Sequence, residues 1–175
     1  MSVEAMTVAE RLESLNVKCV HAGSGQAMGV TADLPRLPGW TEPSAANLSS
    51  GKVLLNTSCA VDGFTPNTVL LHGLLDNHVD ADWLLAGAFE DSRRLPGWSE
   101  RETSTTDFLG HRSAFVNGIY AVDQWVLEAT TRYVVLDDRS GQYLTQLTVT
   151  ILSSQRDDLA TDVAVMNLGL EFAHC

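Results

Sequence analysis

Histidines and nearby carboxylates are the side chains of this sequence best suited to metal or acid–base chemistry. His72 and His78 flank the end of a predicted strand, and Asp76, Asp80 and Asp82 lie close to them in sequence. A zinc site on a helix needs a defined spacing such as His-Glu-x-x-His, and the sequence contains none. We therefore expect structural or solvated histidines here, and no metal site.

Asp107, His111 and Ser113 have the residue types of a hydrolytic triad. A triad requires a nucleophile on a strained turn and a base that a third group orients. The sequence has no Gly-x-Ser-x-Gly elbow, and the spacing of these residues in an extended segment splays their side chains apart. Other aspartates fall at predicted turns and helix starts, where they complement the helix dipole or form Asx turns: Asp80, Asp82, Asp137, Asp138, Asp157 and Asp158. We predict no catalytic residues.

The glycines and cysteines indicate neither a phosphate loop nor a zinc site. The segment Gly23-Ser24-Gly25 lacks the lysine and the third glycine of a phosphate-binding loop. Cys19, Cys59 and Cys175 match no zinc spacing, and their odd number leaves one thiol over. We expect free thiols, with an intermolecular disulfide through Cys175 as the alternative, and we predict no cofactor.

One tetrapeptide occurs twice, as Leu37-Pro38-Gly39-Trp40 and Leu95-Pro96-Gly97-Trp98. Pro-Gly suits a type II turn, because proline fixes the first φ and glycine supplies the positive one. The tryptophan then begins the next segment as a large buried anchor. A pair of aromatic side chains that clamp a ligand is the alternative interpretation.

Length and composition predict a single domain covering residues 1–175. Hydrophobic residues make up 45% of the chain and charged residues 19%, which is typical of a globular protein and excludes disordered and coiled-coil classes. Because 22 acidic residues stand against 11 basic ones, the net charge of −11 argues against a nucleic-acid or anionic-membrane surface. No segment has the ~20 apolar residues of a membrane span. Residues 1–6 lack the features of a secretory signal, so we expect a cytoplasmic protein.

Periodicity and turn residues predict the order helix, strands, helix, strand meander, helix, which excludes a parallel βαβ fold because that fold alternates strands and helices throughout. The predicted elements are a helix at Thr7 to Leu15, strands at Gln26 to Ala32, Lys52 to Ala60 and Thr68 to Leu75, a helix from Asn77 or Asp80 to about Arg94, strands at His111 to Tyr120, Trp125 to Val135 and Tyr143 to Ile151, and a helix from Ser153 or Ser154 to Gly169.

The strand from Trp125 to Val135 has the clearest pattern. Its odd positions are mostly apolar, whereas Glu128, Thr130 and Arg132 lie among the even ones, which predicts one buried face. A short loop joins it to the strand from Tyr143, so the two should pair antiparallel. We predict an α+β fold with an antiparallel sheet of five to seven strands and helices packed on it.

The order and spacing of several short motifs carry a family resemblance. These motifs are Thr7-Val8-Ala9-Glu10-Arg11-Leu12, Leu34-Pro35, Leu37-Pro38-Gly39-Trp40, Phe64-Thr65-Pro66-Asn67-Thr68-Val69, Phe108-Leu109-Gly110-His111-Arg112-Ser113-Ala114, Gly118-Ile119-Tyr120, Arg132-Tyr133-Val134-Val135 and Tyr143-Leu144-Thr145-Gln146-Leu147-Thr148-Val149-Thr150. Over nearly the whole chain they resemble the LpqN/LpqT family of actinobacterial proteins, whose members are mostly envelope lipoproteins.

The resemblance implies a Mog1/PsbP-like fold, in which helices sandwich an antiparallel sheet. Members of that wider fold are mostly binding or accessory proteins, and the family has no catalytic residue set to carry over. We therefore expect a non-enzymatic protein that holds a protein partner or an apolar, lipid-like ligand. The alternatives are a hydrolase whose pocket brings His72, His78 or His111 together with acidic residues, and a homodimer without a ligand.

Overall fold

The computed structural model describes residues 5–21, 28–44 and 51–175. The glycine-rich segment at Gly23 and Gly25, and the start of the strand predicted from Gln26, lie outside the described residues.

Helices and strands alternate in groups along the described chain. The helices are α1 (Val8–Ser14), α2 (Ala81–Leu85), α3 (Gly87–Arg93) and α4 (Arg156–Leu168); the strands are β1 (Cys19–His21), β2 (Val30–Asp33), β3 (Gly51–Leu55), β4 (Asn67–Leu75), β5 (Ser99–Ser104), β6 (Arg112–Val122), β7 (Trp125–Asp138), β8 (Gly141–Leu152) and β9 (Glu171–His174). Short 3₁₀ turns cover Thr57–Cys59 and Ser153–Gln155.

Seven strands form one antiparallel sheet in the order β1-β4-β8-β7-β6-β5, with β3 beside β1 on the same edge of β4. The predicted α+β fold with an antiparallel sheet of five to seven strands is confirmed. Strands β2 and β9 form a separate two-stranded antiparallel sheet. Within the described residues, no helix is both long enough and apolar enough to span a membrane.

Successive side chains of each strand point to opposite sides of the sheet, so each strand contributes residues to both faces. Helices pack on both faces of the seven-stranded sheet. On one face the buried residues of α1, α2 and α3 pack with Tyr133 and Val135 of β7. On the other face α4 and the two-stranded sheet pack with Val134 and Leu136.

The prediction of a single buried face for β7 is therefore wrong. The even-numbered Glu128 and Thr130, which the alternation placed toward solvent, are only 5% and 6% exposed. They lie on the same face as Val134, beneath α4.

Helix α4 is fixed to the rest of the protein along its length. Leu159 and Met166 of this helix are buried against the sheet. The indole Nε1 of Trp40 donates a hydrogen bond of 2.8 Å to Asp162 Oδ2. At the start of the helix Gln155 Nε2 donates to the Cys59 carbonyl oxygen at 2.6 Å, and at its end the chain continues into β9, which pairs with β2.

The helix predicted at Thr7 to Leu15 is confirmed as α1. Thr7 caps it in a capping box, with Glu10 N donating to Thr7 Oγ1 at 3.2 Å and Thr7 N donating to Glu10 Oε2 at 2.9 Å. Both Pro-Gly turns close with a 3.2 Å bond from the tryptophan N–H to the leucine carbonyl, and both glycines have positive φ. Asp80 caps the predicted second helix, which the structure divides into α2 and α3.

Candidate functional site

An open cleft separates α4 from the face of the sheet formed by β5 to β8. Its volume is about 630 Å³. Aromatic and aliphatic side chains supply its apolar walls: Phe108, Phe115, Ile151, Val163 and Leu168. Polar side chains of two strands and α4 also line it: Asn117, Glu128, Thr130, Arg132, Arg156 and Asn167. Those on the strands, from Asn117 of β6 and from Glu128, Thr130 and Arg132 of β7, form the polar floor of the cleft.

Glu128 is the buried carboxylate of this cleft, and its charge is compensated. Asn117 Nδ2 donates to Glu128 Oε1 at 2.9 Å. Arg101 Nη1 lies 3.0 Å from Glu128 Oε2, and Arg156 Nε lies 3.6 Å from Oε1. The side chains of the two arginines remain partly exposed, whereas that of Glu128 is only 6% exposed. This arrangement holds the carboxylate in place within the cleft.

Arg132 occupies the other end of the polar floor. Its Nε donates to Asn167 Oδ1 at 2.8 Å, and its Nη1 donates to Ser113 Oγ at 3.3 Å. Its guanidinium carbon lies 4.4 Å from the centre of the Phe108 ring and 5.1 Å from that of Phe115, which are cation–π distances. Burial lowers the pKa of Arg132. Within the described chain, no carboxylate lies within ion-pair distance of this guanidinium.

His72, the most buried candidate for acid–base chemistry, has a structural role. Its Nε2 lies 2.9 Å from the Val30 carbonyl oxygen, and its Nδ1 lies 2.8 Å from Thr145 Oγ1. Because a carbonyl only accepts, Nε2 carries the proton and Nδ1 accepts from the threonine hydroxyl. The ring also stacks on Tyr143 at 5.4 Å between centroids, and burial lowers the pKa of His72.

The structure does not bring Asp107, His111 and Ser113 together as a triad. Asp107 accepts a hydrogen bond of 3.1 Å from Arg112, and Ser113 accepts one from Arg132. His111 packs edge-on against Phe172, at 5.9 Å between ring centroids.

The remaining acidic and histidine candidates make separate local contacts. His78 Nε2 lies 3.2 Å from Asp137 Oδ1 with both side chains exposed, Asp80 caps α2 through the Trp83 N–H, and Asp82 pairs with Arg112. Across residues 5–21, 28–44 and 51–175, no group of three or more His, Cys, Asp or Glu side chains is arranged to hold a metal ion.

Trp40 and Trp98, the tryptophans of the repeated turns, lie at separate places. Trp40 is buried against α4, whereas Trp98 packs on Gly118 and on Tyr120 of β6. Neither lines the cleft, so the alternative of a paired aromatic clamp has no support from the positions of these side chains.

A second cavity of about 400 Å³ lies on the opposite face of the sheet, beside α1. The Tyr133 hydroxyl donates to Asp91 Oδ2 at 2.8 Å there, and burial raises the pKa of both groups. Burial also raises the pKa of the Cys19 thiol to about 11, so this cysteine is protonated at neutral pH and is a poor nucleophile.

Sequence reasoning missed the polar floor of the first cleft. Because Glu128, Thr130 and Arg132 alternate with apolar residues, the pattern predicts that they face solvent. A usable signal was present, because Val134 and Leu136 continue the same face and a solvent-facing row would not end in two aliphatic residues. That break marks a polar patch within a covered face.

The sheet, its two helical layers and the cleft under α4 together define an α+β domain of Mog1-like architecture. A yeast Ran-binding protein, Mog1p from Saccharomyces cerevisiae, superposes with a TM-score of 0.51 and 12% identity over 89% of this chain and 95% of its own. A crystal structure described as LpqN involved in cell envelope biogenesis of Mycobacterium tuberculosis superposes with a TM-score of 0.81 and 19% identity, covering 95% of this chain and 97% of that one.

A family model described as "Probable lipoprotein LpqN" matches residues 4–173, and the chain belongs to this Lpp-LpqN family. The proline-rich 28 kDa antigen of Mycobacterium tuberculosis is 27% identical over 142 residues, which are 80% of this chain and 45% of the antigen. A Mycobacterium leprae protein named as the lipoprotein LpqT is 25% identical over 165 residues, covering 93% of this chain and 74% of that protein. The chain thus spans less than half the length of the antigen.

Proposed function

We propose that the chain is a non-enzymatic binding domain that holds an apolar or amphiphilic ligand in the cleft between α4 and the sheet. The observation that carries this proposal is the cleft itself, with its volume of about 630 Å³, its apolar walls and its polar floor. Small-molecule sites have volumes of roughly 300–1,000 Å³ and combine apolar linings with a few placed polar groups. The binding unit is proposed to be the single domain of residues 1–175.

The chemistry of the lining supports binding rather than catalysis. None of the described histidines or cysteines lines this cleft, and Ser104 in its wall contacts Thr106 rather than a base. A hydrolytic site needs a nucleophile within hydrogen-bond reach of a base. The names of the relatives, which are lipoproteins, an antigen and a Ran-binding protein, agree with an accessory role.

Native mass spectrometry of the purified protein tests the proposal. We expect the native mass to exceed the denatured mass by a few hundred daltons, since a ligand of that size fills such a cleft, or the emptied protein to bind N-methyldodecanamide as a neutral probe. Absence of both a co-purified ligand and binding of the probe would contradict the proposal.

A variant pair locates the binding site. Ala164 is exposed on α4 and lines the cleft, so Ala164→Trp places an indole over it and should weaken binding of the amide about tenfold or more. Thr161 is also exposed on α4 but does not line the cleft, so Thr161→Trp should leave the affinity within about twofold. Equal losses in both variants would place binding elsewhere.

Protein binding through the exposed face of α4, which includes Ala164 and Leu168 at the edge of the cleft, is a second candidate. Val165 and Leu168 are 37% and 68% exposed there, beside the small residues Ala160 and Ala164. A second copy of the chain or another protein would cover this face. Sedimentation equilibrium should then show self-association that Val165→Glu reduces; a monomer at all concentrations would leave only a different protein as occupant.

The cellular compartment of the protein needs a measurement of its own. The predicted cytoplasmic location stays a prediction, since the relatives are named as lipoproteins and one is described as involved in cell envelope biogenesis. Fractionation of cells that produce the tagged native gene product distinguishes cytoplasm from envelope.

A further inference from the structure

The charges along the cleft floor are unequally matched. Glu128 is compensated by Arg101 and Arg156, and Asp107 pairs with Arg112. Arg132 has no carboxylate partner within the part of the chain that the structure describes. Among the described residues that line the cleft, Arg132 is a cation whose contacts are all with uncharged groups.

The contacts of Arg132 fix its guanidinium but do not neutralise it. Asn167 and Ser113 accept from Nε and Nη1, and two phenyl rings flank the group. Within the described residues, Nη2 makes no hydrogen bond, although Arg132 lines the cleft. A half-buried cation with a fixed position and a donor left over is suited to an anion, because charge-assisted hydrogen bonds are about twice as strong as neutral ones.

Two buried polar neighbours provide independent support. Thr130, 6% exposed and two residues away on the same face of β7, accepts from Asn117 Nδ2 at 2.9 Å, which leaves its hydroxyl proton available to a ligand. Asn167 also lines the cleft, is 3% exposed, and its Nδ2 has no acceptor within the described residues. Buried polar groups are normally hydrogen-bonded, so an unsatisfied donor beside an unpaired cation indicates a missing acceptor.

We propose that Arg132, with the Thr130 hydroxyl, binds the anionic head group of an amphiphile whose apolar chain lies along Phe108, Phe115 and the inner side of α4. This inference rests on the proposed function and names the class of its ligand: a single-chain carboxylate or phosphate. The overall charge of −11 repels anions, so selection of an anionic ligand must come from local contacts such as these.

Isothermal titration calorimetry tests the preference for an anionic head group. Three ligands of equal chain length are compared, each used below its critical micelle concentration. Dodecanoate and dodecyl phosphate carry the anionic heads, and N-methyldodecanamide is neutral. The wild-type protein should bind at least one anion about tenfold or more tightly than the amide, and the better of the two identifies the head group. Equal binding of all three would overturn the inference and leave the proposed function intact. No binding of any of them would also overturn the inference, and without a co-purified ligand it would contradict the proposed function as well.

Variants then locate the preference. Arg132→Gln should reduce the anion-to-amide ratio to less than about threefold while the amide still binds. Arg156→Gln removes the same charge from the same cleft, but because Glu128 already compensates it, the ratio should persist. Equal losses in the two variants would assign the preference to the general field of the cleft and overturn the role of Arg132. If Arg132→Gln does not fold, Arg132→Lys keeps the positive charge and should retain a preference of at least about threefold. Complete loss of the preference, with the amide still bound, would overturn the role given to the charge of Arg132.

Discussion

His72 Nε2 donates a 2.9 Å hydrogen bond to the carbonyl oxygen of Val30, and this bond ties the two-stranded sheet to the seven-stranded sheet. His72 belongs to β4, whereas Val30 begins β2. With the bond between its Nδ1 and Thr145 Oγ1, this bond gives the buried histidine a structural role.

We expect this histidine to make stability depend on pH. Because burial depresses the folded-state pKa of His72, the unfolded chain binds its proton first, so stability is full above about pH 6.5, the unfolded value, and falls as the pH drops toward the folded value. Each unit of depression corresponds to about 1.4 kcal/mol. Urea unfolding of wild-type protein and of His72→Gln between pH 7.5 and 5 measures this, and the variant should lack that part of the slope.

His78→Gln is the matched control for this prediction, since its side chain is 72% exposed. The control should keep the wild-type slope. An identical slope in wild-type protein and His72→Gln would refute the role given to His72.

The Glu128 network should contribute to stability as well as to the shape of the cleft. Glu128→Ala leaves Arg101 and Arg156 without their carboxylate and removes one of the acceptors of Asn117 Nδ2, and we expect a loss of about 1–3 kcal/mol in the free energy of unfolding. Glu128→Gln keeps one acceptor oxygen and should lose less. Glu102, exposed on β5 in the wall of the same cleft, is the control, and Glu102→Ala should change stability by less than about 0.5 kcal/mol. Chemical denaturation measures the free energy of unfolding of the three variants. Equal losses in all three would show that the burial of Glu128 does not contribute to stability.

Gly118 allows β5 and Trp98 to approach β6. A Cβ there would collide with the Trp98 ring and lie 2.6 Å from the Ser99 carbonyl oxygen. We expect Gly118→Ala to cost about 1–3 kcal/mol. In the Trp98→Ala background the same substitution should cost about 1 kcal/mol less, which a double-mutant cycle measured by thermal unfolding will show. Additive losses would mean that the indole is not the obstacle.

Cysteine reactivity should follow burial. With a pKa of about 11, the Cys19 thiol is ~0.1% thiolate at pH 8, whereas an ordinary exposed thiol is about a quarter thiolate. Iodoacetamide should therefore alkylate Cys19 on the order of 100-fold more slowly than the exposed Cys175, as peptide mass spectrometry over time will report. Comparable rates would contradict the burial of Cys19, and unfolding in urea should equalise them.

The long strands could be predicted because their patterns are local. Strands β7 and β8 alternate regularly, and a short polar loop joins them, so their antiparallel pairing follows from neighbouring residues alone. The capping box of α1 and the Pro-Gly turns are local for the same reason.

The missed elements depend on distant partners. Strand β5 consists of Ser, Glu, Arg and Thr residues with exposed side chains and is a strand because β6 supplies its hydrogen bonds. Strand β9 pairs with β2, about 140 residues earlier in the chain. Strand β3 ends at Leu55 rather than Ala60, because a 3₁₀ turn follows at Thr57.

The candidate site could not be predicted from the sequence because it, too, depends on elements that are distant in the chain. Thr130 and Arg132 have the residue types of a solvent face, and only the packing of α4 above them makes that face a cleft. No pattern within β7 states which helix will cover it.

Helix α4 is held at its start by Gln155, in its middle by Asp162 and at its end by β9. The distance between the helix and the sheet is therefore set at three points. A helix attached to the protein at one end only could move away from the sheet and admit a bulky ligand. Helix α4 is attached at both ends and in its middle, so its distance from the sheet is fixed. The cleft is also partly open to solvent, so a long chain can protrude. This mode of support makes the site selective for the cross-section of its ligand rather than for its length, and favours one slender chain over a branched or doubled one.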